Sequence, residues 1–405
     1  IVVMPHGENI YTFTPIQHPA NDMKTDIVTT HFDYHSIDQN LLKLDILGHD
    51  DPTMIRCLQD LIGIDPHTIP LDDPDVMQLF IDTSSLKITP SDIGGAPLGT
   101  LGVPEFGTDF VMQMVVDAKP KCISDLILIS GLSHGTDVWS DNARDLILEG
   151  ITDLRGAICT RDDIMLYLIS KNFEPEKAFK IMETVRKGAI HNGKCSADQW
   201  AEYRTLMEKA DVPEWYIKSC EKIQYMFPKA HAAAYVMMAW RVAYCKVHYP
   251  LEYYTAYFSI RADGLDYEKM CMGVETLKKY LTYYRMNKDN LSDKELLILR
   301  DMKIAEEMYA RGIEFAPIDL YEANAKYCKI VDGKIMPGWN SIAGLGEKAA
   351  ESLAAAAKEG KFLSREDVIR RGGISTTIAD TLANLGILGN MPKTNQISLF
   401  DIMLE

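Results

Sequence analysis

The sequence predicts an α+β protein that is predominantly helical, and three observations carry that expectation. The stretch from 160 to 258 reads mostly as helix, and its segment 178–185 carries a single apolar stripe. Extended segments are few and short: Ile1-Val2-Val3, Asp26-Ile27-Val28-Thr29-Thr30, a run at 41–47, and a hairpin at 330–335 turning on Asp332-Gly333. Past Pro337, Gly344 and Gly346 introduce an Ala-containing helix in the pattern apolar, x, Gly, apolar, Gly.

The chain has 405 residues, too many for one ordinary core, so roughly two to four domains are expected. Hydrophobic content of 47% and charged content of 25% are those of a folded globular protein, and the sequence holds no apolar run long enough to span a membrane. The chain begins at Ile1 rather than Met and reads as a piece of something longer. The 8 cysteines form no Cys-x-x-Cys, which argues against a zinc knuckle or a disulfide framework and fits a reducing cytoplasm. A net charge of −16 argues against a nucleic-acid partner until its distribution is read. Residues 1–110 hold 17 acidic against 4 basic side chains, whereas residues 177–250 hold 12 basic against 7 acidic. Local sign is what a phosphate feels.

In order along the chain, Leu41-Leu42-Lys43-Leu44-Asp45-Ile46-Leu47-Gly48 reads as a strand. Lys43 and Asp45 would share one face, and Leu42, Leu44 and Ile46 the other. A carboxylate and a cation at a strand end suit a divalent metal and a phosphate, although a structural salt bridge has the same composition. A helix follows from Pro52 to about Gly63, entered through Asp50 or Asp51, with Met54, Ile55, Leu58, Leu61 and Ile62 as its apolar face. Asp73-Pro74-Asp75 reads as another capped entry. The glycine-rich stretch 99–108 leads into a helix at Asp109–Val116, and 129–139 reads as a polar loop between helices, whose hydroxyls, histidine and glycines suit substrate contact although a connecting loop has the same composition. Arg186-Lys187 closes the 178–185 helix, either as a charged C-cap or as a clamp on phosphate. Pro228 starts a helix whose first turn holds Lys229 and His231, where free N–H groups favour an anion, and Tyr225 just ahead could offer its ring to a base. A core helix with a buried histidine would look the same.

The residues 341–353 fit a helix-hairpin-helix, in which glycines let the hairpin approach DNA and the opening N–H groups of the second helix take a phosphate; Lys348 adds a cation. A Schellman-type turn between packed helices is the plainer alternative. Residues 362–388 read as a degenerate second copy, and the tail Asn395-Gln396-Ile397-Ser398-Leu399-Phe400 offers an exposed Leu-Phe that would need a pocket.

These words together resemble the bacterial replicative DNA polymerase III alpha subunits, most closely the PolC type. The resemblance rests on 41–53, on Thr30-His31-Phe32-Asp33, on the loops at 99–108 and 129–139, and on Tyr225–Tyr235, where Ala230 stands in place of a serine variant. It implies an end of palm at 1–60, helical fingers at 61–325, a tandem helix-hairpin-helix at 326–390 that binds duplex DNA, and a clamp-binding tail at 391–405. It implies template-directed nucleotidyl transfer from a dNTP to a primer 3′-hydroxyl with two Mg²⁺ ions. Asp45 would be the metal-binding catalytic aspartate with Lys43 beside it, and Arg186, Lys187, Tyr225, Lys229 and His231 would hold the nucleotide. Gly344, Gly346 and Lys348 would meet DNA, while Gln396, Leu399 and Phe400 would grip the sliding clamp (beta). Primer-template DNA, dNTP, the clamp and other replisome subunits are the implied partners, in a cytoplasmic, nucleoid-associated setting and with no membrane. The family places two further aspartates, as Asp-x-Asp, upstream of this one, and residues 1–44 hold no such motif. The chain by itself is therefore expected to bind without polymerising. A DNA-binding, clamp-tethered scaffold without chemistry is the alternative.

Overall fold

The computed structural model describes residues 1–44, 46 and 48–395, and the chain divides into two units, Ile1–His49 and Asp50–Glu405. In the first, β1 (Val2–Val3), β2 (Ile16–Gln17), β3 (Thr29–Thr30) and β4 (Leu42–Lys43) form two separate antiparallel ladders. β1 pairs with β4, Val2 opposite Lys43 and Val3 opposite Leu42; β2 pairs with β3. The strand expected over 41–47 is thus only two residues where it is described, and Leu42, Leu44 and Ile46 are exposed rather than forming a buried face. A two-stranded ladder has no second layer to bury a side against.

The second unit is helical apart from one hairpin. α1 (Asp51–Ile62) and α2 (Pro74–Gln78) lead through a long irregular stretch to α3 (Asp109–Ala118), α4 (Ile123–His134) and α5 (Arg144–Leu148). α6 (Arg161–Ser170) packs on α7 (Pro175–Arg186), followed by α8 (Ala197–Lys209) and α9 (Glu214–Lys222). α10 (Lys229–His248) is the axis of the unit and touches α1, α2, α4 and α11 (Pro250–Ile260). α12 (Val274–Met286) and α13 (Asp293–Ala310) pair with each other, and β5 (Lys329–Val331) with β6 (Lys334–Met336) closes the expected hairpin on Asp332-Gly333. α14 (Glu347–Glu359), α15 (Arg365–Gly372) and α16 (Thr376–Asn384) complete it. One hydrophobic core runs from Met54 to Leu388. The predominantly helical α+β expectation holds.

Local chemistry explains the boundaries. Asp73 caps α2 as expected, its carboxylate accepting from the Asp75 and Val76 N–H groups at 2.9 and 3.0 Å. At α1 the expectation is corrected: the helix starts at Asp51, Pro52 is its second residue, and Asp50 makes no side-chain cap. Asp51 is buried and pairs with Arg261 of the α11 C-cap, and Leu61 lies on the exposed side. The loop expected at 129–139 is also corrected, because 129–134 are the last turns of α4, with Leu126, Ile129 and Leu132 in the core.

The glycine-rich stretch is tied down from beneath by a wholly buried ion pair. Lys246 of α10 reaches Glu307 of α13 at 2.8 Å and donates to the carbonyls of Gly99, at 2.8 Å, and Leu101. Tyr254 donates to the same carboxylate at 2.6 Å. Thr108 then caps α3 through the Val111 N–H.

Candidate nucleotide-binding and DNA-binding surfaces

Four chain segments meet where the candidate nucleotide residues lie. α7 ends at Arg186, and Gly188 turns the chain with φ +61°; a side chain there would strike the Gln224 carbonyl, so only glycine lets the helix end abut the 224–228 segment. The Met226 N–H donates to the Arg186 carbonyl at 3.3 Å, the Thr136 N–H to the Tyr225 carbonyl at 2.9 Å, and the Arg161 N–H to the Phe227 carbonyl at 3.2 Å. The segment carrying Tyr225 is thereby stitched to the end of α7, to the loop after α4 and to the start of α6.

Each cation of this surface already faces a carboxylate. Glu183 holds the Arg186 guanidinium with two bonds, 2.7 and 2.9 Å, and lies 3.0 Å from the Lys187 ammonium. Chiefly through the Arg186 hydrogen bonds, its pKa is brought down to about 2. Lys229, at the first position of α10, donates its backbone N–H to Asp162 at 2.7 Å and its ammonium to Asp163 at 2.9 Å. Asp163 is itself fixed by the Thr160 N–H and hydroxyl. Tyr225 is exposed.

His231 belongs to a ladder of rings. His134 stacks on Phe227 with centroids 4.6 Å apart and planes at 21°, Phe227 meets His231 edge-on at 5.0 Å, and His231 meets Tyr235 at 4.6 Å. Both nitrogens of His134 face acceptors, Nε2 toward Glu105 at 3.1 Å and Nδ1 toward the Ser130 carbonyl at 2.8 Å, an arrangement that suits the imidazolium. The Glu105 hydrogen bond leads in raising its pKa. His134, Phe227, Glu105, Glu183 and Asp163 are residues the sequence reading did not assign to the site. Glu183 was within reach of it, since spacings of three and four residues place it beside Arg186 and Lys187 on one helix face. The ring ladder had no such signal, because His134 and Phe227 are 93 positions apart by their numbers.

Lys43 sits in the first unit, its ammonium 5.5 Å from the centre of the Tyr34 ring. Asp45, Gln396, Leu399 and Phe400 lie outside the described residues. In the second unit, Asp73, Asp75 and His248 bring ligand atoms within 4.8 Å of one another, but Asp73 is engaged as the cap of α2 and by His248 at 3.0 Å, which accounts for the cluster structurally.

Toward the C-terminal end, a single turn of 3-10 helix, Trp339–Ser341, precedes the first hairpin where a full helix was expected. Gly344 has φ +82°, Gly346 caps α14, and both are exposed, as is Lys348 in the first turn. The second copy is the fuller one: α15, a turn through Gly373, and α16 with its N-terminus capped by Ser375.

A helical unit that ends in hairpin-linked helix pairs is the architecture of the chain, and comparison with known proteins makes this specific. Residues 51–209 match the finger domain of the bacterial DNA polymerase III alpha subunit, and residues 312–397 match a helix-hairpin-helix motif. Over 99% of its length the chain is 51% identical to the DNA polymerase III PolC-type of Clostridium perfringens and to that of Streptococcus pneumoniae serotype 2, and 49% identical to that of Streptococcus mutans. The chain spans 27% of the length of each. The chain belongs to the bacterial DNA polymerase III alpha-subunit family, and its similarity is to the PolC type. Among the described residues no helix is long and apolar enough to cross a membrane.

Proposed function

We infer that this chain is the nucleotide-binding and DNA-binding part of a template-directed DNA polymerase of chromosomal replication. The observation that carries the reading is the meeting of Arg186, Lys187, Tyr225 and Lys229 at the junction of α7, the 224–228 segment and the start of α10. Lys229 at the first position of α10 and Arg186 and Lys187 at the end of α7 bring three cations to one junction, which suits a triphosphate; the exposed Tyr225 ring suits a sugar or base. Within this reading 1–60 is the end of a palm, 61–325 the fingers, 326–390 the duplex-binding hairpins and 391–405 the tail for the sliding clamp. Primer-template DNA, dNTP, clamp and other replisome subunits are its partners, in the cytoplasm with the nucleoid.

Mg²⁺ is the metal that the reading implies, and when bound it would stabilise the attacking and leaving oxygens. Glu183 and Asp163 are each engaged by cations, so the surface around Arg186 suits phosphate rather than the metal. The family resemblance gives Asp45 as the chain's metal ligand, with the other ligands on the upstream Asp-x-Asp of the family. What the chain's own cations do is offset phosphate charge: Arg186, Lys187 and Lys229 hold the triphosphate as negative charge builds on the leaving group.

The test is binding of a dNTP with Mg²⁺ and of primer-template DNA, measured separately. Arg186→Ala with Lys187→Ala should weaken dNTP binding about tenfold or more and leave duplex binding intact. Equal dNTP binding by the variant would sink the assignment. The chain alone should give no primer extension, and extension would contradict its dependence on an upstream Asp-x-Asp.

A further inference from the structure

His134 also lines a cavity of about 520 Å³, bounded by residues 101–109 and by one face of α13. The face is set by helical spacing: Leu296, Leu299, Arg300 and Lys303 all line it, so two cations and two leucines look into the same space. Arg261 and Lys288 add charge from the ends of α11 and α12. A second cavity, of about 420 Å³, shares Leu101, Asp109, Lys288, Leu299 and Lys303 with the first and continues past Arg285 and residues 93–97. The two form one trough running over α13.

In a chain of net charge −16, this trough gathers Arg261, Arg285, Lys288, Arg300 and Lys303. The opposing carboxylates on its walls are Glu105, engaged by His134, and Asp109. Asp109 is exposed and lies 3.6 Å from Lys288 and 3.5 Å from Lys303, a loose surface arrangement that a phosphate can replace at little cost. Arg261 pairs with the buried Asp51, and Arg300 with the buried Asp301 and, at 3.4 Å, with the exposed Asp263, a surface contact that a phosphate can replace. Arg285 is held by Glu306, which lies outside the lining of both cavities.

The shape selects the ligand. A single anion would need one cluster of donors, whereas here cations recur along a trough with a leucine floor. That is the composition of a track for an unpaired strand, in which basic groups follow the backbone and apolar surface receives an unstacked base. We propose that this trough binds single-stranded DNA, Lys288 and Lys303 taking one phosphate between them and Arg261 and Arg300 a neighbouring one. The proposal rests on the DNA-polymerase reading and adds a strand path separate from the Arg186 surface and from the hairpins.

The test is the affinity of the chain for an oligo(dT) of about 12 nucleotides and for a blunt duplex, each across a salt series. Lys288→Ala with Lys303→Ala should weaken oligo(dT) binding about tenfold and lower the salt slope by about 0.7, the share of one phosphate, while duplex binding is unchanged. Lys348→Ala in the first hairpin should do the reverse. Unchanged oligo(dT) affinity, an equal loss on duplex, or no oligo(dT) binding by the unaltered chain would each overturn the proposal. So would displacement of oligo(dT) by dAMP or inorganic phosphate at equal phosphate concentration, which would mark a mononucleotide pocket. Because these readouts do not use dNTP, failure of the Arg186 assignment would be seen separately.

Discussion

Lys246 and Glu307 form an ion pair from which water is excluded, 2.8 Å apart with neither side chain exposed, and the same ammonium holds the carbonyls of Gly99 and Leu101. Burial draws the Lys246 pKa down to about 8 against the pull of Glu307. The pair links α10, α13 and the glycine-rich stretch in one contact. Lys246→Met should destabilise the second unit by about 3–5 kcal/mol, because a buried carboxylate loses its partner. Lys246→Met with Glu307→Met should recover much of that loss in a urea titration. A single variant no less stable than the unaltered chain would show that the pair contributes nothing.

Glu183 competes with any anion for Arg186 and Lys187. Glu183→Gln should therefore tighten dNTP binding roughly fivefold, about 1 kcal/mol, as read by titration calorimetry. Weaker binding would mean that the carboxylate positions the cations more than it screens them. The sign of its pH dependence follows from a folded pKa below the unfolded one. Its contribution to stability is present above the ordinary value of 4.5 and is lost as pH falls from there toward 2. The stability gap between the unaltered chain and Glu183→Gln should close across that acid window.

His134 behaves in the opposite sense. Its pKa is raised above 6.5, so its bonds to Glu105 and Ser130 stabilise fully below that pH and fade as pH rises through the folded value. His134→Gln should cost stability at pH 6 and less at pH 9 in thermal melts. A pH-independent difference would show that stacking on Phe227, rather than charge, is what His134 supplies.

The two hairpin glycines separate fold from binding. Gly344→Ala places a Cβ at φ +82°, a left-handed conformation costing about 1–2 kcal/mol, and should lower thermal stability. Gly346→Ala meets none of the described residues beyond its chain neighbours within 4 Å and has φ −70°, so it should leave stability unchanged. If the hairpin lies on DNA, Gly346→Ala still weakens duplex binding, measured by fluorescence anisotropy. An unaltered duplex affinity would remove Gly346 from the interface.

Much of the second unit was legible because local rules set it. Asp73 before Pro74, Thr108 before the apolar run of α3, and Asp332-Gly333 between short strands each announce an element through a few neighbouring side chains. The reading failed where tertiary burial overrode local polarity. The segment 129–134 looks like a loop from its serines and glycine, yet Ile129 and Leu132 are buried and the segment continues α4. The run 41–47 reads as one strand, yet among the described residues only Leu42–Lys43 pairs, and Leu42, Leu44 and Ile46 are exposed.

The sequence by itself determined the helical character, the caps, the hairpin turns and the cations at 186, 187 and 229, since these depend on residues within a few positions of one another. Only the tertiary structure decided what those cations face and what gathers beside them. Asp163 reaches Lys229 across 66 positions, Lys246 and Glu307 meet across 61, and the trough takes its charges from α11, α12 and α13. Contacts of that separation follow from how the helices close around α10, and no local pattern of residues encodes them.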